Sequence, residues 1–287
     1  MITWILVGLT LGSIYALIAI GFVILYKAMG LLNFAHLSFL LFGAYLTYSF
    51  IAYLEFPFLL ATLLSVLIVA IIGILIQSTM LNHLIGKSIH AMIMICLAIG
   101  MILNSISGAI WGYNHKNFPA PVEEKLISIL GGNIPSIHLY MMLFIVILFI
   151  LLGLFFRYSA MGIQFRAAAD SQEGAMLSGI DVKRVYLVAW VLSAATGCFA
   201  GIIAANIQVM DQNLGFIAIK SFPVMVLGGM TSIAGPIVAG PIVGLIEMAT
   251  GWYLGQVARD IVPYLLLFVI LLVRPYGLFG EEEIERL

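Results

Sequence analysis

Residues 221–247 read SFPVMVLGGMTSIAGPIVAGPIVGLIE, an uncharged apolar run that ends on Glu247. Its length suits a membrane-spanning helix, which needs about 20 apolar residues. Its interior does not suit one continuous helix. Gly228-Gly229 and Gly235-Pro236 interrupt it, because glycine is too flexible and proline lacks the amide N–H. The run therefore reads as broken or re-entrant. Irregular backbone at membrane depth is tolerated only against protein or a water-filled cavity, and such breaks mark solute paths in many transporters.

The rest of the chain places this run in lipid. Its 287 residues carry 12 Lys+Arg and 13 Asp+Glu, or 9% charged, against 63% hydrophobic. Soluble domains carry roughly 25% charged residues, and mean hydropathy here is +1.18. That excludes a soluble enzyme and a disordered chain. A net charge of -1 offers phosphates no basic field, so nucleic acid is excluded as a partner. The apolar runs are too long for β-barrel strands. The expected fold class is all-α: a polytopic transmembrane helical bundle of about eight segments, forming a single transmembrane domain over 1–287. Helices are expected at about 4–26, 30–53, 58–82, 90–111, 138–157, 185–206, 221–247 and 256–274. No basic residue precedes Lys27, so the first segment reads as a retained span rather than a signal peptide. Cys96 and Cys198 sit inside apolar runs and read as packed thiols.

Charge gives the orientation. The densest polar segment, 157–184, holds Arg157, Arg166, Lys183 and Arg184 and is assigned to the cytoplasm. Counting spans outward puts Met1 outside. A single crossing by 221–247 would then leave Arg274 and the tail outside. A broken or re-entrant 221–247 returns the tail to the cytoplasm. Lys27, Lys87, Arg157, Arg166, Lys183, Arg184, Arg274 and Arg286 then lie inside. Lys116, Lys125, Lys220 and Arg259 lie outside. Two segments share a polar, glycine-containing pattern, 30–45 (GLLNFAHLSFLLFGAY) and 215–232 (GFIAIKSFPVMVLGGMTS), as expected of two related halves.

Three constellations invite a function. Asn33-Phe34-Ala35-His36, with Ser38, sets an amide and an imidazole at the entrance to a span. Such groups cost free energy unless paired or wet. They read as a path for a polar solute. Equally, Asn33 reads as an N-cap of the second span and His36 as a satisfied buried histidine. The segment 161–186, MGIQFRAAADSQEGAMLSGIDVKRVY, favours a helix from Gln164 to Leu177 with Gly179 as C-cap and Asp181 capping the next helix. It reads as a docking handle for a partner, the alternative being a solvated connector. Isolated polar groups within spans (Gln77, Asn104, Ser105, Ser107, Ser193, Asn206, Gln208) read as interhelical hydrogen bonds. Glu247 stands apart as ionisable, either an interface residue or a pathway group. The glycine pairs Gly8/Gly12, Gly197/Gly201, Gly240/Gly244 and Gly251/Gly255 have the spacing that lets helices approach closely.

Other chemistries are missing from the sequence. No Cys/His cluster has metal-ligand spacing, and no Ser/His/Asp set suggests hydrolysis. Gly86-Lys87-Ser88 mimics the end of a phosphate-binding loop, but Leu81 stands where that loop needs glycine. No catalytic residue and no metal site are expected.

Four blocks, in order, carry a family resemblance: LVGLTLGSIYALIAIGFVILYKAMGLLNFAHLSFLLFGAYL (6–46), FRAAADSQEGAMLSGIDVKRVYLVAWVLSAATGCFAGIIAA (165–205), KSFPVMVLGGMTSIAGPIVAGPIVGLIE (220–247) and LLVRPYGLFG (271–280). Together they resemble the permeases of branched-chain amino acid ABC importers, the shorter of two paralogous types. The resemblance implies an importer subunit in a bacterial or archaeal plasma (inner) membrane. Its implied partners are a second permease paralogue, two ATP-binding subunits, a periplasmic or extracellular substrate-binding protein and membrane lipids. ATP and magnesium would belong to the ATP-binding subunits, with no cofactor in this chain. Arg166, Ala167, Asp170, Ala175, Gly179 and Ile180 match the segment that contacts the ATPases. Asn33, Phe34, Ala35 and His36 match the second-span motif, and Gly228, Gly229, Gly235 and Gly240 the broken segment. One position departs: the family usually has glycine where Leu37 stands. Relatives also handle urea, short amides or other amino acids, so a passive channel or facilitator for such a solute is the alternative function.

Overall fold

The computed structural model of the chain describes residues 2–84, 88–122, 125–129 and 132–280. Met1, Gly86, Lys87 and Arg286, which entered the sequence reading, lie outside the described residues. Eleven helices run in order among them: α1 (Ile2–Met29), α2 (His36–Ala52), α3 (Phe58–Thr79), α4 (Ile89–Trp111), α5 (Ser136–Tyr158), α6 (Ala160–Asp170), α7 (Gln172–Leu177), α8 (Val182–Ile207), α9 (Ser221–Gly228), α10 (Gly235–Leu254) and α11 (Gln256–Val273). Seven are long and apolar enough to cross a membrane, and two shorter apolar helices cover His36–Ala52 and Leu214–Gly228. The chain is thus an all-α polytopic bundle.

The differences from the expected helices have local causes. The helix expected over 30–53 begins only at His36, because the chain turns at Gly30 and Asn33 then bends the backbone. The long run 221–247 is two helices, α9 and α10, separated at 229–234. Gly229 has φ +99, a left-handed conformation that favours glycine, and it ends α9. Pro236 sits in the first turn of α10, where its missing N–H costs nothing. The single helix expected over 164–177 is also two, because Ser171 leaves the helix to cap α7. A short β-hairpin, β1 (Leu126–Ile129) paired antiparallel with β2 (Gly132–Pro135), was not expected.

The chain divides into two compact units. One comprises Met1–Val23, Val122–Val146 and Ile217–Leu287, and the other Ile24–Pro121 and Ile147–Phe216. In the second, α8 packs against α2 and α3, and α2 also packs against α4. A methyl group added at Gly201 would overlap the Leu40 carbonyl, and one at Gly43 would lie 2.5 Å from Cys198 Sγ. Backbones therefore meet directly there. In the first unit the start of α1 meets α10 in the same way: Gly12 lies against the Gly240 carbonyl, and a methyl at Gly8 would sit 3.0 Å from the Gly244 carbonyl. Of the pair Gly251/Gly255, the first lies against α11, where a methyl would sit 3.0 Å from Arg259 Cδ. Gly255 has φ +91 and turns the chain from α10 into α11.

Candidate functional site

In the second unit the segment before α2 is fixed by its own polar groups. Asn33 Oδ1 accepts from the Ala35 N–H at 3.0 Å, and the Asn33 carbonyl accepts from the His36 N–H at 3.1 Å. Asn33 is therefore a turn-former ahead of the helix rather than its N-cap, a position held by Ala35. Its Nδ2 is buried with no hydrogen-bond partner among the described residues. Phe34 is half-buried, while Ala35 and His36 are buried. His36 reaches across to α8, where its Nδ1 lies 3.1 Å from Ser193 Oγ. Gly197, one turn further on, leaves room for the imidazole, since a methyl there would sit 3.0 Å from His36 Cε1. Ser38 Oγ donates to the Gly100 carbonyl on α4 at 2.9 Å. Leu37 is half-buried, with its carbonyl facing Gly215. The motif thus ties α2 to α4 and α8 through hydrogen bonds, which are strengthened in a low-dielectric interior.

In the first unit α9 and α10 form an antiparallel hairpin. At its turn, a methyl on Gly228 would meet Gly235 C and Pro236 N at 2.6 Å. The 274–280 segment closes on the same end. The Leu278 N–H donates to the Leu227 carbonyl at 2.7 Å and the Phe279 N–H to the Gly228 carbonyl at 3.2 Å. The last carbonyls of a helix have no partner within it, and here a neighbouring strand of chain supplies two. At the hairpin's other end lies Glu247, fully buried. Its Oε1 is 2.8 Å from Lys220 Nζ and 3.4 Å from Arg259 Nε. Lys220 Nζ is also 2.8 Å from Asp260 Oδ1. Buried Tyr15 interacts with the same carboxylate.

The expected pathway residues thus fall into two sets. Asn33, Phe34, His36 and Ser38 belong to one unit, and Gly228, Gly229 and Glu247 to the other. The ion cluster was missed, although its signal was in the sequence: Lys220, Glu247, Arg259 and Asp260 are the four charges between 214 and 273, two of each sign.

The expected docking segment is built on the end of α5. Ser159 caps α6 by accepting from the Gly162 N–H at 2.9 Å. Gly162 lies so close to α5 that a methyl there would be 2.6 Å from the carbonyl oxygens of Phe155 and Phe156. Arg166 Nη1 donates to the Phe156 carbonyl, and Phe165 packs edge-on to Phe156 at 5.0 Å. Ala167 is half-buried and Asp170 exposed. Ala175 is buried, so it anchors α7 rather than facing outward. After α7, the Gly179 N–H donates to the Met176 carbonyl and the Ile180 N–H to the Ala175 carbonyl, both at 3.0 Å. With Gly179 at φ +80, this is a Schellman C-cap. Asp181 then caps α8, accepting from Lys183 and Arg184 N–H groups at 3.1 and 3.4 Å. Sequence reasoning missed Met176 and Leu177, which present apolar side chains outward, Leu177 at 90% exposure. Their signal was an apolar pair in a polar segment.

Among the described residues no group of three or more His, Cys, Asp or Glu side chains could hold a metal ion. The family described as "Branched-chain amino acid transport system / permease component" matches residues 4–271. The LivH permease protein of the high-affinity branched-chain amino acid transport system of Escherichia coli K12 is 32% identical over 305 residues, covering 97% of this chain and 95% of that protein. Its Pseudomonas aeruginosa counterpart BraD is 28% identical over 301 residues, with the same coverage of both chains. A solved structure of PsaBC from Streptococcus pneumoniae, bound to a Fab, covers 96% of this chain and 90% of its own at 17% identity, with a TM-score of 0.46.

Proposed function

The chain belongs to the permease family of branched-chain amino acid transport systems, and from that premise we propose that it carries a small apolar amino acid through an ATP-driven importer. The observation that carries the proposal is the family match over residues 4–271. The two units act together as one permease domain over 1–287. A second permease paralogue completes the path. Two ATP-binding subunits, which hold ATP and magnesium, grip the 157–184 segment from the cytoplasm, and a substrate-binding protein delivers solute from outside. The N-terminus lies outside and the C-terminus in the cytoplasm of a bacterial or archaeal plasma membrane.

In this reading Arg166, Ala167, Asp170, Ala175, Gly179 and Ile180 form the docking segment. The bond from Arg166 to the Phe156 carbonyl supports a transmitting role, because a force on α6 is delivered to the end of α5. Asn33, Phe34, His36 and Ser38 in one unit, and Gly228, Gly229 and Glu247 in the other, are the pathway residues of this reading. The buried, unpartnered Nδ2 of Asn33 supports a polar contact there, since such a donor is costly unless a solute or water meets it. Coupling requires two states of the assembly that differ in affinity for both the solute and the ATP-bound partners. Leu37, in place of the family's usual glycine, narrows the path beside the Asn-Phe-Ala-His motif.

The test is uptake by the reconstituted complex. Arg166→Ala should lower ATP-driven leucine uptake about ten-fold or more while the protein still inserts and assembles. Uptake that persists without any ATP-binding partner would overturn the importer reading and favour a passive facilitator for urea or amides.

A further inference from the structure

Lys220 stands at the junction where the 3-10 turn Leu214–Lys220 runs on into α9. It makes no side-chain cap hydrogen bond to α9. What holds it is remote in sequence: Glu247 lies 27 residues on and Asp260 40 residues on, each 2.8 Å from Nζ.

The cluster grades from interior to surface. The Glu247 side chain is 0% exposed, Lys220 22%, Arg259 26% and Asp260 53%. Its four formal charges cancel, which is the condition for keeping ions out of water at tolerable cost. Each inner member has two partners of opposite sign. Lys220 meets Glu247 and Asp260, and Glu247 meets Lys220 and Arg259. An ion with two partners can loosen one contact while it keeps the other.

The element so held is short. α9 has 8 residues, about 12 Å of helix, and even with the 3-10 turn Leu214–Lys220 ahead of it the apolar stretch is shorter than any of the seven spans. Its far end is held by backbone bonds from Leu278 and Phe279. Its near end has Lys220. The two attachments differ in kind: backbone bonds are fixed in register, whereas the charge cluster can exchange partners.

We propose that Glu247 is a positioning residue for transport, acting through Lys220 to set where the half-helix α9 sits against α10 and α11. This deepens the permease reading, on which it rests for the word transport. Glu247 then contributes by holding α9 in place, and contact with the solute is not required. Arg259 keeps Glu247 aimed when Lys220 shifts toward Asp260.

The experiment uses the full complex in proteoliposomes, with Met230→Cys placed in the α9–α10 turn as a reporter. Glu247→Gln, Lys220→Gln and the double variant are compared for leucine uptake, ATP hydrolysis and the rate of labelling by a hydrophilic maleimide. Glu247→Gln should lower uptake about ten-fold with ATP hydrolysis changed less than about two-fold, and should change the labelling rate several-fold. The double variant should match the more severe single, because both act through one contact. Single effects that multiply in the double variant would overturn the proposal, as would an unchanged labelling rate in Glu247→Gln. If Glu247→Gln does not fold, Glu247→Asp and Lys220→Gln decide by the same two criteria. The labelling comparison does not depend on uptake. A complex that never transports leucine therefore counts against the permease reading alone, and the labelling rates still decide whether Glu247 positions α9.

Discussion

Between α2 and α8 the polar contact is a side-chain hydrogen bond and the backbones are interlocked: His36 meets Ser193, and Gly201 lies against the Leu40 carbonyl. Around α9 the contact is ionic at one end and a run of borrowed backbone hydrogen bonds at the other. Both arrangements keep polar groups satisfied away from water. They differ in what they permit. Glycine faces pressed together have one register, because any sliding drives carbonyl into Cα. Charged groups with several partners keep most of their attraction over a range of positions, because Coulomb energy falls off only slowly with distance. The α2–α8 contact therefore behaves as a fixed frame, as does the glycine contact of α1 with α10, and α9 as the adjustable piece.

The sharpest way to break that contrast is to crowd the frame. Gly201→Val should cost about 3 kcal/mol, since the added carbons have no space and the neighbour is main chain. The midpoint of thermal unfolding in detergent should fall accordingly. A frame that tolerated valine there would not be rigid. Next, Leu278→Pro removes the N–H that meets the Leu227 carbonyl, and should cost about 2 kcal/mol by the same measurement. The smallest effect is expected at the outer ion. Asp260→Asn should cost no more than about 0.5 kcal/mol, because its carboxylate is half in solvent and Glu247 still holds Lys220. A larger loss at Asp260 than at Gly201 would reverse the comparison.

How much of this was legible in the sequence depended on how local the cause was. The break at 228–235 was legible because glycine and proline act on their own backbone. Asp181 as a cap was legible for the same reason. The start of α2 was not, because Asn33 can cap a helix or turn the chain ahead of one, and only the turn leaves His36 facing Ser193. The docking helix was expected whole because its residues favour helix, but Ser171 gains more as a cap to α7 than as a mid-helix residue. Residue spacing marked Gly8/Gly12 and Gly240/Gly244 as packing positions without saying that they meet each other. The same spacing misled at Gly255, where a turn and not a contact explains the glycine, though Gly251 does lie against α11. Lys220 and Arg259 were read as topology markers and Glu247 in isolation. Their pairing spans 27 and 12 residues, and no local rule joins them.

The glycine contact between α1 and α10 also bears on how the protein is made. Chains are synthesised from the N-terminal end, so Gly8 and Gly12 enter the bilayer long before Gly240 and Gly244 exist. The unit of Ile24–Pro121 and Ile147–Phe216 holds all of its own partners by residue 216, whereas the other waits for α9, α10 and α11. During that interval α1 presents an uncovered groove to lipid. Biogenesis therefore has a late, vulnerable step. Damage to α10 should show first as newly made chains that are inserted, half assembled and open to degradation.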